Sequence, residues 1–317
     1  MHKIVVLDGF VLNPGDLSWE PLKSLGSVTV YDRTPAELIV ERIGDADIIL
    51  TNKTPITRQT LIDCPSVRYV GALATGYNTI DIAAAAEMDV AVTNVPAYST
   101  AAVAQFTMAL LLEVCHHVGE HSRGVMQGDW IKSIDFCYWK YPQVELAGKT
   151  FGIIGMGQIG QAAGKLADAF GMKVLYHAHH SRQLPYPATF VSLEELLQTS
   201  DIISLHCPLT DETAGIINRN TLSLMKKGAI LLNTARGPLV DEQAVADALK
   251  EGKLAGYAAD VVSKEPMAEN SPLVDVPGCI LTPHIAWASH AARGRLMDIA
   301  ISNVFAFCDE KRQNRVE

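Results

Sequence analysis

The sequence predicts an α/β protein built from two parallel-sheet units. Three observations carry this. Short apolar, β-prone runs alternate with helical stretches, the alternation restarts near Lys149, and the restart sets a glycine-rich turn between a strand and a helix. The 317 residues leave room for two domains, and 48% hydrophobic content is enough to bury a core in each.

In the first hundred residues strands are expected at 3–7, 28–31, 47–50, 69–72 and 91–94, with helical patterns at 35–43 and 80–87 between some of them. A long apolar helix is expected over 99–118, followed by an irregular segment rich in aromatics, about 124–145. The second series of strands reads 150–154, 173–176, 201–206, 229–233, 256–260 and 279–282. Continuous apolar runs such as Ala229-Ile230-Leu231-Leu232 suit strands covered on both faces. A last helix spans 289–307, and the pattern alone leaves open which unit it joins.

The turn reads Gly155-Met156-Gly157-Gln158-Ile159-Gly160. Strand, tight turn and helix form the context in which G-x-G-x-x-G binds a dinucleotide. Gly155 permits the sharp turn, Gly157 lets the backbone approach a pyrophosphate, and Gly160 lets the helix pack on the strand. The helix start, from Gln158 and Ile159, then offers free N–H groups and a positive dipole end. The second unit therefore reads as a doubly wound Rossmann domain.

Composition narrows the function classes. Net charge is −9 and no Lys/Arg-rich run occurs, which argues against nucleic acid. The longest apolar stretch, 101–114, is interrupted by Gln105, Thr107 and Glu113 and is too short for a membrane span. No signal peptide precedes the first strand, and six scattered cysteines show no C-x-x-C pairing, so a reduced, cytoplasmic protein is expected. His177, His179 and His180 have no nearby Cys, Asp or Glu to complete a metal site, so no metal is expected.

Reaction chemistry has to come from side chains at the strand ends. Three stand out: Arg236 in Asn233-Thr234-Ala235-Arg236-Gly237, Glu265 in Ser263-Lys264-Glu265-Pro266, and His284 in Thr282-Pro283-His284-Ile285. Singly, each has an ordinary structural explanation. At three successive strand ends beside a dinucleotide turn, they read as functional rather than structural, with Arg236 poised to take a carboxylate in a bidentate pair.

These strings, with Leu205-His206-Cys207-Pro208-Leu209-Thr210, Val240-Asp241 and Asp260-Val261, resemble the D-isomer-specific 2-hydroxyacid dehydrogenase family over essentially the whole chain. The stretches 12–19, 51–54, 74–78, 94–100 and 135–139 are similar to its glycerate dehydrogenase (hydroxypyruvate reductase) group; glyoxylate reductases share much of that pattern. The resemblance implies a Rossmann cofactor domain, 98–287, inserted into a flavodoxin-like substrate domain, 1–97 plus 288–317, with hinges near 95–99 and 286–289.

It also implies roles. Arg236, with backbone N–H groups of Ala74, Thr75 and Gly76, would hold the carboxylate of a small 2-keto or 2-hydroxy acid. His284 would carry the proton, and Glu265 would favour and orient its protonated form. Thr100, Thr234, Ala235 and Asp260 would touch the cofactor, Asp260 near the nicotinamide amide, while His206 and Pro208 would flank its adenine-ribose side. A homodimer is the family's habit, and 99–118 with the aromatic segment is the natural interface. The family also resembles corepressors, so a dinucleotide-sensing scaffold is the alternative to an enzyme.

One departure concerns the coenzyme. NAD sites usually carry an Asp or Glu about 20 residues past the glycines. Here the strand end reads Tyr176-His177-Ala178-His179-His180-Ser181-Arg182, without a carboxylate. A 2′-phosphate would meet His179 and Arg182 without repulsion. NAD(P)(H) is therefore expected, with a preference for NADP(H).

Overall fold

The computed structural model describes residues 1–317, in two compact units. Met1–Ser99 with Ala288–Glu317 form one and Thr100–Trp287 the other. The division expected from sequence lay at 97/98 and 287/288.

The first unit holds β1 (His2–Val6), β2 (Gly26–Val30), β3 (Ile48–Thr51), β4 (Tyr69–Ala72) and β5 (Ala91–Thr93). All pairs are parallel, in the order β2-β1-β3-β4-β5, the flavodoxin-like arrangement. Every residue of β3 and β4 is buried, which explains their unbroken apolar runs. Helices Arg58–Asp63 and Ile82–Glu87 start on side-chain caps, Thr57 and Asp81, that accept from backbone N–H groups. The last helix, His290–Cys308, belongs to this unit. Phe307 lies 4.9 Å from the Tyr69 ring, and the buried Arg293 donates to Leu12 O and both carboxylate oxygens of Asp16.

The second unit holds β6 (Thr150–Ile154), β7 (Lys173–His177), β8 (Thr189–Phe190), β9 (Ile202–Leu205), β10 (Ala229–Asn233), β11 (Leu254–Ala259) and β12 (Cys279–Leu281). The order is β12-β11-β10-β9-β6-β7-β8, all parallel. The sheet is doubly wound, and its winding reverses between β6 and β9, where ligands settle in such sheets. Two apolar layers cover it. One is built around Leu205, Leu231 and Tyr257, the other around Phe151, Ile153 and Leu232.

Two local expectations need correction. The helix expected over 99–118 ends at His116, because His117 takes a left-handed conformation (φ 47°). A second helix, Val118–Met126, follows where sequence suggested irregular chain from 124; the Glu113 carboxylate accepts its Gly119 N–H at 3.3 Å. The edge strand β8 was not foreseen: two exposed residues carry no periodicity. No single helix is long and apolar enough to cross a membrane.

Candidate active site

The three glycines of the turn answer to different constraints. Gly155 has φ 97°, and a Cβ there would collide with Cys207 N at the end of β9. A Cβ on Gly160 would collide with Gly155 O. Gly157 differs: a Cβ there meets nothing within 4 Å. Packing therefore demands the first and third glycines, while the second faces open space. Gly157 is also the N-cap of helix Gln158–Ala169, with no side chain capping the free N–H groups. Space, bare backbone and dipole fit a pyrophosphate. Gln158, Ile159 and Gly160 open that helix, and Thr100 Oγ1 lies 3.4 Å from Gln158 Oε1.

The carboxyl ends of three other strands of the same sheet, β10, β11 and β12, lead into the three chemical side chains. After β10, the buried Asn233 shapes the loop. Its Oδ1 accepts from Ala235 N (3.0 Å) and its Nδ2 donates to Arg236 O (2.9 Å). Thr234 Oγ1 lies 2.9 Å from Thr107 Oγ1 on helix Thr100–His116. Arg236 is exposed, and its Nη1 donates to Ala235 O. A Cβ on Gly237 would collide with Val262, so the loops after β10 and β11 touch.

Asp260 follows β11 and is 1% exposed. Its Oδ1 accepts from Thr282 Oγ1 (2.6 Å) and Ile285 N (2.9 Å), its Oδ2 from Ala286 N (2.7 Å). Three of about four acceptor sites are thus used inside the chain, leaving one on Oδ2 for a ligand such as an amide. Glu265 Oε1 accepts from Val262 N (3.3 Å), and Oε2 lies 2.7 Å from His284 Nδ1. With Nδ1 held by the carboxylate, Nε2 is the nitrogen left for a substrate. Sequence reasoning missed Asn233, Thr282 and Trp287, whose roles are to hold loops. An Asn ending a buried apolar strand was the one signal that could have been read.

Just past β9, His206 Nε2 lies 2.8 Å from Ser204 Oγ. Although part of the residue reaches solvent, burial of its ring pushes it down to about 4, so it is neutral near pH 7. Burial pushes the adjacent Cys207 thiol up to about 11, which rules out a thiolate. Pro208 O accepts from Thr213 Oγ1. His179 and Arg182 are exposed just past β7, where the Tyr176 hydroxyl accepts from Arg182 N (2.8 Å). No carboxylate occurs between His177 and Glu194. No group of three ligating side chains converges anywhere in the chain.

Ala74, Thr75 and Gly76 lie in the first unit, after β4. Thr75 Oγ1 donates to Val95 O and Asn94 Nδ2 to Thr75 O, both at 2.8 Å, which fixes the turn.

A Rossmann turn, a carboxylate-bound histidine and an exposed arginine at the carboxyl ends of one parallel sheet are the parts that a nicotinamide-dinucleotide oxidoreductase acting on small acids requires. Residues 108–286 match the family model described as D-isomer specific 2-hydroxyacid dehydrogenase, NAD binding domain. A hydroxypyruvate reductase of Blautia hydrogenotrophica is 53% identical over 310 residues, 96% of each chain. A glycerate dehydrogenase of Methylorubrum extorquens is 41% identical over 286 residues, 90% of this chain and 89% of that one. The solved structure of an acyclic imino acid reductase in complex with NADPH and D-Arg superposes with a TM-score of 0.85 at 31% identity, covering 99% of this chain and all of that one. The chain belongs to the D-isomer-specific 2-hydroxyacid dehydrogenase family and is a dinucleotide-dependent enzyme of that family.

Proposed function

We propose that the enzyme reduces hydroxypyruvate to D-glycerate, and glyoxylate more slowly, with NADPH as the preferred donor. The 2.7 Å pair of Glu265 and His284, past the carboxyl ends of β11 and β12 in the sheet that carries the dinucleotide turn, supports the reading. The names of the relatives support the substrate class.

The nicotinamide supplies the hydride when bound. Arg236 takes the substrate carboxylate as a bidentate pair. His284 Nε2 gives its proton to the oxygen that becomes the hydroxyl. Glu265 holds the imidazole through Nδ1 and orients it; proton transfer from such a positioned group contributes roughly 10²–10⁴-fold. Gly157, Gln158, Ile159 and Gly160 present backbone to the pyrophosphate. Thr100, Thr234 and Ala235 line the nicotinamide half, with Asp260 offering its remaining acceptor site to the amide. His206 and Pro208 flank the adenosine. His179 and Arg182 receive the 2′-phosphate, where no carboxylate repels it. NADPH in the imino acid reductase structure supports that choice.

The test is kcat/KM for hydroxypyruvate, glyoxylate, pyruvate and phenylpyruvate with each coenzyme. Hydroxypyruvate with NADPH should rank first. A best rate with phenylpyruvate would remove the substrate assignment, and an NADH preference of about tenfold, ~1.4 kcal/mol, would remove the coenzyme assignment.

We further assign a homodimer, built on the segment after helix Val118–Met126. Ile131, Ile134, Phe136 and Trp139 are 69–101% exposed there, although Trp130 Nε1 donates to Phe136 O and gives the loop a defined shape. An ordered apolar surface of this kind calls for a partner face. A cytoplasmic location suits the six free cysteines, and cell fractionation checks it.

A further inference from the structure

We infer that Trp287 is a positioning residue for His284: its indole N–H fixes the backbone that carries the acid/base imidazole. The inference rests on the reading of His284 as the proton carrier.

His284 has φ 56°, in the left-handed region that a residue with a Cβ seldom occupies. Such a conformation persists only when its surroundings over-determine it, and here the determinants can be named. The His284 N–H donates to Thr282 O at 3.0 Å. Its carbonyl accepts from Trp287 Nε1 at 2.9 Å. The next two N–H groups, Ile285 and Ala286, go to the two oxygens of the buried Asp260, which also takes the Thr282 hydroxyl. Asp260 thus anchors the loop before and after the histidine from the end of β11. Trp287 is the side chain that returns three residues along the chain and grips the peptide of the histidine itself.

Geometry explains why that grip bears on chemistry. Glu265 and His284 come from the loops after two different strands, and their side chains meet at 2.7 Å only while both backbones are held. Without the indole N–H, the His284 carbonyl loses its intraloop donor and the left-handed conformation loses a constraint. The imidazole then samples positions away from Glu265 and from the reacting oxygen, and a displacement of about 1 Å can cost roughly 10²-fold in rate.

The experiment compares Trp287→Phe, Thr282→Val and His284→Asn in the full-length enzyme. Trp287→Phe keeps an aromatic ring and removes the N–H. Its kcat for reduction should fall about tenfold, because one neutral hydrogen bond is lost at a constrained site. KM for the keto acid should stay within about twofold, since no substrate-binding group is removed. The primary deuterium isotope effect from 4-deuterated coenzyme should rise, and the high-pH limb of the rate should move to lower pH as the Glu265 contact loosens. In the coenzyme-free protein, the downfield proton signal of the His284–Glu265 hydrogen bond should broaden or disappear. A merely structural tryptophan would lower the melting temperature and leave the isotope effect, the pH limb and that signal in place. Should Trp287→Phe not fold, Thr282→Val decides through the same loop, with kcat about threefold lower at unchanged KM. Wild-type kcat, isotope effect and pH limb in the folded variant, or a change confined to KM, overturns the inference, provided His284→Asn is inactive. His284→Asn with near wild-type kcat would instead overturn the acid/base reading on which it rests.

Discussion

A carboxylate on one nitrogen of an imidazole turns the ring and stabilises its charged form. Glu265 is so placed toward His284. Glu265→Gln keeps a hydrogen-bonding oxygen and removes the charge. With the ring no longer held by a charged partner, kcat/KM should fall roughly 10–100-fold near neutral pH. A variant with wild-type kcat/KM would show that the charge of Glu265 plays no part. Another histidine has a separate signature, in stability. Burial pushes His206 from 6.5 down to about 4. The unfolded chain takes up that proton near 6.5, the folded chain near 4, so the unfolded state binds more protons between them. Stability is full above pH 6.5 and declines as pH falls toward 4, by up to roughly 3 kcal/mol. His206→Gln should flatten that decline in urea midpoints measured across the window; an unchanged slope would place the proton uptake elsewhere.

At the scale of elements, the dinucleotide turn separates packing from binding. A Cβ at Gly157 meets only open space at an ordinary φ of −75°. Gly157→Ala should leave the melting temperature of the coenzyme-free protein within about 2 °C and weaken coenzyme binding about tenfold or more. Gly160→Ala reverses the pattern. Alanine gains about 1 kcal/mol of helix propensity over glycine, but its methyl collides with the backbone oxygen of Gly155, and backbone does not yield cheaply. Overpacking costs typically about 1–3 kcal/mol, so the melting temperature should drop before any ligand is added. Equal melting temperatures for the two variants would refute this division. The strands obey ordinary core energetics: Leu231, fully buried in β10, should cost about 2–5 kcal/mol on truncation to alanine, read as a shift in denaturant midpoint at constant slope.

Elements also differ in how far sequence reveals them. Strands buried on both faces were plain, because β6 and β10 are continuous apolar runs ended by glycine or polar residues. The two-residue β8 was invisible, and the break at His117 was masked by apolar spacing that continues through it. A left-handed histidine leaves no mark in periodicity. The candidate site was legible as a set of residue types at strand ends, Arg236, Glu265 and His284. Its supports were not. Asn233 and Trp287 act on backbone atoms two or three residues away and Thr282 on a neighbouring loop, and short polar contacts of this kind carry no sequence spacing of their own.

At the scale of the whole molecule, the chain is acidic, with a net charge of −9, and its substrate and coenzyme are anions. Attraction must therefore be local, and exposed Arg236 and the uncapped start of helix Gln158–Ala169 are local positive features of this chain. The assembly prediction also belongs here. Replacing Ile131 and Ile134 together by glutamate should shift the protein from dimer to monomer in sedimentation, while leaving far-UV circular dichroism unchanged. A doubly substituted protein that sediments like wild type would move the interface elsewhere.

The sequence by itself determined the two parallel-sheet units, the glycine turn with its three distinct glycines, the missing ribose carboxylate and the three chemical side chains. All of these are written in residues close together along the chain, where periodicity and turn chemistry act. Only the tertiary structure decided that Glu265 meets His284 through Nδ1 and that Asp260 spends most of its oxygen lone pairs on the His284 loop. Those outcomes depend on strand order and on which loops that order makes neighbours. Strand order is set by burial summed over the whole molecule and has no local signature.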